Sequence, residues 1–558
     1  MKKVVIVLAV MACVASVFAW ERPQKKLIGF GWMMPRYMEQ FKATVEEFEK
    51  NCPFDGIGFN PLIHIKRDGK DIEYNMPFNA SDSKITLTKE DYAEFIGLMK
   101  SLKLKKLKYN FLTLNSAQFS TDWFDDASWA KTMQNYRTIV WVAKEIGFMG
   151  IAFDTEGYNH TGRPFSFYPQ KGHTFAETEA KVRERASDWI RQIADIYPDI
   201  TIFCFIWAGD FIGRFQARGH EHIVGESLSL QYAFMNGVYD AMPDTVKLID
   251  GNEDPGYKAA TSSQMDTCVS NYYFNAKRWI DAKNLPKFYR STSLSCSLYL
   301  DSYMPENPKP YQLWKTTKNQ ARMLQDNVTH ALEHSDEYAW IWGEKGTFFP
   351  QLYPTHRFKY WNERLPMTRE AIEAGKDPYG TARKYAGENL LKNSGLNTGE
   401  AAFEDGNAPA DNVGLLPYWS SWIDSKTGGK IKPVNGMVCF YGTSNACIIQ
   451  YYTGAESNTR YLLTARCKLN STCTVPLLGV NFYDAEKQGI WRLTKSAVFS
   501  EPDNDGWRTG ELLFDSPDFP MAYMGLTVST KAPRTEIPES EQCFFDDVKL
   551  YKIVYPWD

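Results

Sequence analysis

Eight short apolar runs, each followed by a stretch with helical periodicity, dominate the first 380 residues of this chain. The runs have the length of buried strands, and the stretches between them repeat apolar residues three and four positions apart, as one face of a helix does. Eight such pairs over about 350 residues are what a barrel of eight parallel strands and eight helices requires. The sequence has no glycine-rich phosphate turn of the kind that doubly wound sheets carry. The pattern therefore predicts an α/β fold, a (β/α)8 TIM barrel.

The boundaries follow from where each period begins and ends. The predicted strands are Lys26–Met34, Phe54–Ile63, Lys105–Asn115, Gly150–Tyr158, Thr201–Asp210, Lys247–Glu253, Lys287–Leu300 and Glu337–Glu344. The predicted helices are Arg36–Lys50, Lys89–Leu102, Ser128–Ile146, Phe175–Ile196, Gln264–Asp281, Leu313–Glu333 and Met367–Ala374.

The pattern changes after residue 380. From about Glu388 the helical periodicity disappears, and short alternating runs separated by Gly, Asn, Asp and Ser turns replace it. The predicted strands there are Gly436–Tyr441, Ala446–Tyr452, Arg460–Lys468, Leu477–Asp484, Met521–Ser529 and Cys543–Ile553. We therefore expect a barrel over residues 20–380 and an all-β jelly-roll sandwich over residues 388–558.

The N-terminus has the parts of a secretory signal peptide. A charged start precedes an apolar run from Val4 to about Val17, and the small residue Ala19 ends the segment. No other apolar run in the sequence is long enough to span a bilayer. We predict that residues 1–19 are removed and that the protein is secreted or periplasmic without a membrane span. A lipoprotein anchored at Cys13 is the alternative.

Composition narrows the possible partners. The formal net charge is −4 at pH 7 and no basic tract is present, so we expect no nucleic-acid partner. Aromatic residues make up 15% of the chain, and such rings stack on sugar faces as well as filling cores. The sequence has no HExxH motif, no CxxC pair and no regular His/Asp spacing, so we expect neither a metal nor a cofactor. The oligomeric state stays open.

Cysteines and tryptophans of the last third allow two further expectations. One or two disulfides are expected in an exported protein among Cys439, Cys447, Cys467, Cys473 and Cys543. A stacking platform for sugars could be formed by Trp419, Trp422, Trp491 and Trp507, which could equally fill the core of the sandwich.

The most informative strand end is that of Gly150–Tyr158, an apolar run that ends in two carboxylates, Asp154 and Glu156. Residues two apart in a strand point the same way, so both side chains would emerge together at the carboxyl end. Active sites of barrels lie at those ends, and glycosidic bond cleavage needs a pair of carboxyl groups. The alternative is an acidic cluster that caps the next helix.

Acidic and aromatic side chains also end the other predicted strands. The predicted substrate-binding residues are Trp32, Asn60, Tyr158, His160, Trp207, Asp210, Asp250, Tyr257, Asp301, Trp340 and Trp342. Acids in succession, with tryptophans and tyrosines beside them, favour a sugar site. Asp210, Asp250 and Asp301 could instead cap backbone amides.

The predicted catalytic residues are Glu156, Glu344, Asp154 and Glu253. The first pairing joins Glu156 with Glu344, because strands four and eight face each other across an eight-stranded barrel. The second joins Asp154 with Asp250 or Glu253. A separation of about 5–5.5 Å gives retention and about 6.5–9.5 Å gives inversion, a choice that the sequence leaves open.

Two family patterns resemble this arrangement. Glu156 on strand four resembles the acid/base residue of barrel glycosidases, which implies a glycoside hydrolase. Those enzymes have Asn directly before the acid and the nucleophile on strand seven, whereas Thr155 precedes Glu156 here and strand seven ends in Asp301. Carboxylates on strands four and six resemble instead the layout of α-galactosidase-like barrels.

Both ends of the chain carry further resemblances. Ile28-Gly-Phe-Gly-Trp32, followed by Cys52-Pro-Phe-Asp-Gly56, is similar to the openings of uncharacterised barrel proteins of polysaccharide-degrading bacteria. Segments 389–393 and 544–551 resemble the first and last strands of jelly-roll carbohydrate-binding modules. The second resemblance implies a carbohydrate-binding-module-like domain whose ligand stays open.

Two function classes fit these patterns. The first is a secreted glycoside hydrolase acting on a polysaccharide or oligosaccharide; the second is a noncatalytic glycan-binding protein that keeps the aromatic cleft. Catalysis needs two converging carboxylates, one of them with a raised pKa, whereas binding needs only hydroxyl ligands and rings. The many strand-end acids favour the hydrolase. A lyase or esterase is the weakest reading, since Arg163 and Lys345 make no basic cluster.

Overall fold

The computed structural model of the protein describes residues 25–31, 37–67, 69–75, 85–116, 119–156, 162–215, 222–305, 311–317, 319–348, 359–398, 416–424, 428–470, 474–532 and 536–558. The predicted signal peptide, residues 1–19, lies outside them, as do the alternative anchor Cys13 and the site candidates Trp32, Tyr158 and His160. The chain divides into two compact units, an N-terminal unit that ends at Lys376 and a C-terminal unit that begins at Asp377.

A parallel sheet forms the centre of the N-terminal unit. The strands of this unit are β1 (Lys26–Gly31), β2 (Gly56–Phe59), β3 (Leu62–Arg67), β4 (Lys70–Asn75), β5 (Phe111–Asn115), β6 (Gly150–Asp154), β7 (Thr201–Cys204), β8 (Lys247–Asp250), β9 (Thr292–Leu294), β10 (Ser297–Tyr299), β11 (Tyr338–Gly343), β12 (Gly346–Thr347) and β13 (Lys359–Tyr360). Nine of these described strands form one curled parallel sheet in the order β10-β11-β1-β2-β5-β6-β7-β8-β9. Strands β3 and β4 make an antiparallel hairpin, and β12 pairs with β13.

The two edge strands of this sheet, β9 and β10, are consecutive in the chain and separated only by Ser295 and Cys296. The backbone N–H of Ser295 donates to the carbonyl of Asp250, at the end of β8, over 2.9 Å. The carbonyl of Cys296 accepts the N–H of Trp340, in β11, over 3.1 Å. The two-residue segment Ser295–Cys296 is therefore hydrogen-bonded to β8 near one edge of the sheet and to β11 near the other.

Helices follow the parallel strands along the chain. They are α1 (Met38–Asn51), α2 (Ala93–Ser101), α3 (Asp126–Glu145), α4 (Phe175–Ile196), α5 (Ala208–Phe215), α6 (Gln231–Ala241), α7 (Glu253–Lys258), α8 (Ser262–Ser270), α9 (Leu285–Ser291), α10 (Gln320–His334), α11 (Trp361–Arg364) and α12 (Thr368–Lys376). The longest, α4, begins with a capping box, in which Thr174 and Glu177 each accept the other's backbone N–H.

Alternate residues of the strands point to one side of the curled sheet and build an aromatic interior. Its buried members are Ile28, Phe30, Phe111, Ala152, Phe203, Phe205, Ile249, Tyr257, Tyr299, Tyr338 and Trp340. The intervening residues, such as Phe153 and Leu248, belong to a second core that includes apolar residues of the helices. Alternation thus places Asp154, two residues after Ala152, on the side of the aromatic interior.

Three predicted strands are partly helical. The prediction Lys247–Glu253 was too long, because the strand ends at Asp250 and Glu253 begins helix α7. The prediction Thr201–Asp210 was too long, because the strand ends at Cys204 and Asp210 lies in α5. The first part of the predicted strand Lys287–Leu300 is helix α9, which begins with a proline in its first turn, a position where the fixed φ of proline favours a helix. The predicted helix Gln264–Asp281 ends at Ser270 and continues as a single π turn.

The C-terminal unit is a pair of antiparallel sheets preceded by helix α13 (Pro378–Lys384). Its strands are β14 (Ala386–Asn389), β15 (Ser420–Ile423), β16 (Lys430–Val434), β17 (Met437–Tyr441), β18 (Asn445–Tyr452), β19 (Arg460–Asn470), β20 (Val475–Asp484), β21 (Lys495–Val498), β22 (Trp507–Asp515), β23 (Met521–Lys531) and β24 (Gln542–Ile553). One sheet has the order β16-β17-β24-β19-β22, with β14 also beside β24, and the other β15-β18-β23-β20-β21. Inward residues of both sheets form one core.

The eight described cysteines carry free thiols, so the disulfides expected in the C-terminal unit do not form among its described cysteines. The strand register places Cys439 opposite Phe544 and Cys467 opposite Phe545, and the thiols of Cys467 and Cys543 lie in contact without a covalent bond. These side chains are buried as small apolar residues. Cys473 lies outside the described residues.

The chain as described is mixed α/β, with a curled parallel sheet in one unit and antiparallel sheets in the other. None of its described helices has both the length and the apolar character that a membrane crossing demands.

Candidate functional site

The carboxyl end of β6 holds Asp154 and Glu156 in a fixed relation. Asp154 is buried, and its Oδ1 accepts the backbone N–H of Glu156 over 2.8 Å. Asn115, at the end of β5, is paired in register with Asp154 and is also buried. Thr155 has a different environment, since its Oγ1 donates to Oε1 of Gln231 in α6 over 3.3 Å. Glu156 stays half-buried at the edge of the aromatic interior.

The ends of β10 and β11 bring Asp301 and Glu344 together. Asp301 is buried, and its two carboxylate oxygens accept the backbone N–H groups of Glu344, over 2.9 Å, and of Lys345, over 3.1 Å. Glu344 is half-buried, and its Oε1 accepts the indole N–H of Trp342 over 3.2 Å. Asp301 thus holds the backbone of the segment that carries Glu344, while Trp342 holds its side chain.

Burial, with a smaller contribution from the Glu344 charge, raises the pKa of Asp301 to about 6, although the two backbone amides and the Tyr299 hydroxyl lower it. Burial also raises the pKa of the Tyr299 hydroxyl, and both neighbouring carboxylates add to this rise. Asp301 therefore exchanges its proton at a pH near 6, whereas the Tyr299 hydroxyl stays protonated there.

Aromatic rings line the space under these carboxylates. Trp340 stacks on Phe205 with centroids 4.7 Å apart, and Tyr257 stacks on Tyr299 at 5.1 Å. Trp342 meets Phe205 edge-on at 5.6 Å. The indole N–H of Trp340 donates to the carbonyl of residue 251 over 2.7 Å, which fixes the ring across the interior.

The end of β8 uses its acids differently. Asp250 is fully buried; Oδ2 accepts the backbone N–H of Gly209 in the first turn of α5 over 2.8 Å, and Oδ1 accepts Nδ2 of Asn252 over 3.2 Å. Asp210, also fully buried, accepts the N–H of Asp254 in the first turn of α7 over 2.8 Å. Burial raises the pKa of Asp250 to about 7, and the charge of Asp210 adds to the rise. Both carboxylates hold helix starts.

The remaining described candidates have separate positions. Glu253 is the first residue of α7 and is half-buried. Trp207 is fully buried in the second core, shared by the strands and the helices, which we call the outer core. Its indole N–H donates to the Tyr239 hydroxyl there over 2.8 Å. Asn60 is half-buried directly after β2.

The structure therefore brings Asp301, Trp342 and Glu344 together over the aromatic floor. It places Asp154 and Glu156 at the end of β6, four strands from β11 in the sheet order. We call the carboxyl ends of the parallel strands, with these carboxylates, the rim.

Two rim residues escaped the sequence reading. The hydroxyl of Tyr311 donates to Asp254, and its ring meets Tyr257 at 5.7 Å, although Tyr311 follows no strand and shows no pattern that could have marked it. Asn252 adopts a left-handed backbone with φ of 45°, which Asn tolerates better than most residues. The sequence Asp-Gly-Asn signals a turn here, but it does not reveal the side-chain bond to Asp250.

Within the described part of the chain, no group of three or more His, Cys, Asp or Glu side chains is arranged to hold a metal ion.

No model of a known protein family matches the sequence, and no curated protein is significantly similar to it. Among solved structures, TmCBM61 in complex with β-1,4-galactotriose is 17% identical and covers 30% of this chain and 99% of its own, with a TM-score of 0.19. The modules of a Clostridium thermocellum endo-1,4-β-D-xylanase solved with xylohexaose are 15% identical, over 24% of this chain and 26% of theirs, at 0.18. An arabinose-bound MgGH51 α-L-arabinofuranosidase is 12% identical, over 31% and 27%, at 0.22.

These structural neighbours are carbohydrate-binding modules and glycoside hydrolases. At such low identities and TM-scores they do not show which family the chain belongs to.

Proposed function

We propose that this protein is an exported glycoside hydrolase whose active site is the rim of the N-terminal unit. One observation carries the proposal: half-buried Glu344, held by Asp301 through its backbone and by Trp342 through its side chain, stands above a floor of stacked rings. The partly exposed ring of Trp342 can pack on the apolar face of a sugar, and the fixed carboxylate beside it can act on a glycosidic bond. Export rests on the predicted signal peptide.

The proposal includes closure of the curled sheet into a (β/α)8 barrel. Residues 292–299 would then form one strand interrupted at Ser295 and Cys296, bonded to β8 on one side and to β11 on the other, which makes eight strands in all. Closure places β6 and β11 opposite each other across the interior. The acids at their ends then face one another over the floor.

In this mechanism Glu156 is the general acid that protonates the leaving oxygen of the glycosidic bond. Glu344 is its partner, either as the nucleophile that forms a glycosyl ester or as the base that takes a proton from water. Asp301 is a positioning residue, since its bonds reach the backbone of Glu344 rather than the reacting bond. Asp154 holds the backbone N–H of Glu156.

The second pairing, Asp154 with Asp250 or Glu253, has less support. Asp250 has both oxygens engaged, with Gly209 and Asn252, and is fully buried. A carboxylate in that position would have to give up a helix start in order to reach a substrate. Glu253 lies beside it at the rim and stays the catalytic candidate of this pairing.

The test is digestion of a panel of polysaccharides and oligosaccharides by the purified mature protein, with the anomeric configuration of the products followed by NMR. We expect reducing ends to appear with at least one glycan and to disappear in Glu344→Gln, while that variant still binds the same glycan. Binding without turnover by the wild-type protein across the panel would contradict the proposal and favour a noncatalytic glycan-binding protein.

A further inference from the structure

The five-stranded sheet of the C-terminal unit turns one face to the core and carries a group of aromatic rings on the other. Tyr451, Tyr483 and Tyr523 stand on β18, β20 and β23, and Trp491 lies in the turn that follows β20. Ring centroids are 4.6 Å apart between Tyr483 and Tyr523, 4.9 Å between Tyr451 and Tyr523, and 5.9 Å between Tyr483 and Trp491. We call these four residues the aromatic platform.

Alternation along the strands shows that the platform is on the outer face. Phe482 and Met524, the immediate neighbours of Tyr483 and Tyr523, are buried in the core. Tyr451 is 46% exposed and Trp491 65% exposed, and both are among the large apolar side chains most accessible to water in the described chain. Burial in the core therefore does not account for these residues.

The local backbone is shaped to hold the platform. A Cβ at Gly525 would lie 2.8 Å from Cδ1 of Ile449 and 3.2 Å from Cε2 of Tyr483, so the missing side chain lets the Tyr483 ring lie across β23. Glycine weakens a strand interior, which makes its use at a close approach of side chains informative. Replacing it would displace Tyr483 from the other rings.

The turn that presents Trp491 is anchored at both ends. Asp484 Oδ1 accepts the N–H of Gln488 over 2.8 Å, and the N–H of Ile490 donates to the carbonyl of Phe482 over 2.8 Å. Trp491 is thus held beside Tyr483 by backbone bonds rather than by burial of its own ring. An exposed indole in an ordered turn is suited to a ligand that covers it.

The residues beside the platform indicate the chemistry of that ligand. Asn481 and Ser529 are polar, uncharged and half-buried on the same face of β20 and β23, with the buried Thr527 between them, and Asn481 Oδ1 accepts the hydroxyl of Thr494 over 3.0 Å. Rings with uncharged hydrogen-bonding groups beside them match a molecule that has apolar faces and hydroxyl edges. Sugar residues without charge have this character.

We propose that the aromatic platform is a binding surface for neutral polysaccharide, in which sugar rings stack on Trp491 and Tyr483 and hydroxyls reach the neighbouring polar groups. Two of the four tryptophans suggested by the sequence lie on this sheet: Trp491 belongs to the platform, and Trp422, 51% exposed, stands on β15 beside β18. The other two do not: Trp419 is fully buried, with its indole N–H bonded to the carbonyl of Asn393, and Trp507 lies in the other sheet under Arg466. The proposal does not depend on hydrolysis at the rim.

The test is affinity electrophoresis of the full mature chain in gels that contain xylan, galactan, arabinan or mixed-linkage glucan, with polygalacturonate as a charged comparison. We expect retardation by at least one neutral polysaccharide. Trp491→Ala should raise the dissociation constant about tenfold or more, as loss of a central aromatic anchor does. Because the Trp491 side chain is exposed, the variant should melt at the same temperature as the wild type, and a melting curve serves as the folding control.

Trp507→Ala is the matched control, a tryptophan-to-alanine change in the same unit but in the other sheet, and it should bind like the wild type. Equal retardation of wild type and Trp491→Ala, or retardation by polygalacturonate alone, would overturn the proposal. A third result would also overturn it: a wild type that shows no retardation and is a dimer in light scattering, together with a monomeric Trp491→Ala. The platform would then be a contact between copies of the chain. Hydrolysis of short soluble substrates should be unchanged in Trp491→Ala, which separates this result from failure at the rim.

Discussion

The ends of β8 and β11 carry the same kinds of residue and use them in opposite ways. At β8, Asp250 is enclosed and bonded to the first turn of α5. At β11, Glu344 keeps a half-exposed carboxylate with its backbone held by Asp301. One carboxylate stabilises a helix start, whereas the other is itself held in place by its surroundings.

This difference separates the strand-end acids that hold structure from those that can take part in catalysis. An acid at the carboxyl end of a barrel strand is a candidate for catalysis only if it lies on the interior side, because alternate positions face the helices. Asp250 shares its side with Leu248 of the outer core, whereas Glu344 shares its side with Trp340 of the aromatic interior. Variants of both kinds of acid test this distinction.

The largest effect is expected for Glu156→Gln, compared with Glu253→Gln. Loss of a general acid lowers turnover by about 10²–10⁴-fold, so Glu156→Gln should be nearly inactive while its melting temperature stays near that of the wild type. Glu253→Gln should keep most of the turnover. Measured initial rates in the reverse order would support the second pairing and contradict the first.

Asp301→Asn should have the next largest effect. Its carboxylate accepts two backbone N–H groups, and an amide can accept only through one oxygen, so the Glu344 segment should loosen and kcat should fall about 10- to 100-fold. Because the pKa of Asp301 is raised to about 6, the accepting form is lost below that pH. The wild-type rate should therefore rise with pH through about 6, and the same limb in Asp301→Asn would argue against its positioning role.

Asp250→Asn should change the pH dependence of stability. Its pKa is raised to about 7 when folded, above an ordinary value near 4, so the folded state binds the proton more tightly. The sign follows: this contribution to the free energy of unfolding is fully present below about pH 4 and is lost as pH rises through about 7. Between pH 5 and pH 8 the wild type should lose on the order of 1–3 kcal/mol relative to Asp250→Asn in denaturant titrations. Parallel curves for the two proteins would show that Asp250 does not titrate in this range.

The smallest effect is expected for Trp342→Phe. This change keeps an aromatic ring and removes one N–H bond to Glu344, a loss of about 1 kcal/mol at a half-exposed site. We expect kcat to fall a few-fold with KM nearly constant. A large rise in KM alone would make Trp342 a sugar-stacking residue instead of a support for Glu344.

Much of the architecture could be predicted from the chain, since periodicity located every strand of the parallel sheet and the change to antiparallel sheets. The predicted boundaries that were wrong depended on contacts between residues distant in the sequence. Helix α5 begins where Asp250 accepts the N–H of Gly209, more than 40 positions away, and no local pattern records such a bond. Side-chain alternation could have separated Asp250 from Asp154, but only with a strand boundary correct to one residue.

For the candidate site, residue types were predictable and pairings were not. The sequence marked Asp301 and Glu344 separately, whereas their hydrogen bond needs the register of β10 against β11. The roles of Glu156 and Glu344 stay predictions. Their partner relation depends on the closure of the sheet, a proposal that rests on the eight-unit pattern and on the backbone bonds of Ser295 and Cys296.

The bonds at the end of β8 form a chain with a consequence for local opening. Asp250 holds the amide of Gly209, Asp210 holds the amide of Asp254, and Ser297 Oγ donates to the carbonyl of Asn252. These bonds join three segments of the sequence one to the next, so local unfolding of one segment breaks the hydrogen bonds that hold its neighbour. In hydrogen–deuterium exchange we expect the amides of Gly209 and Asp254 to be protected together and to exchange with one common opening free energy, as a single cooperative unit.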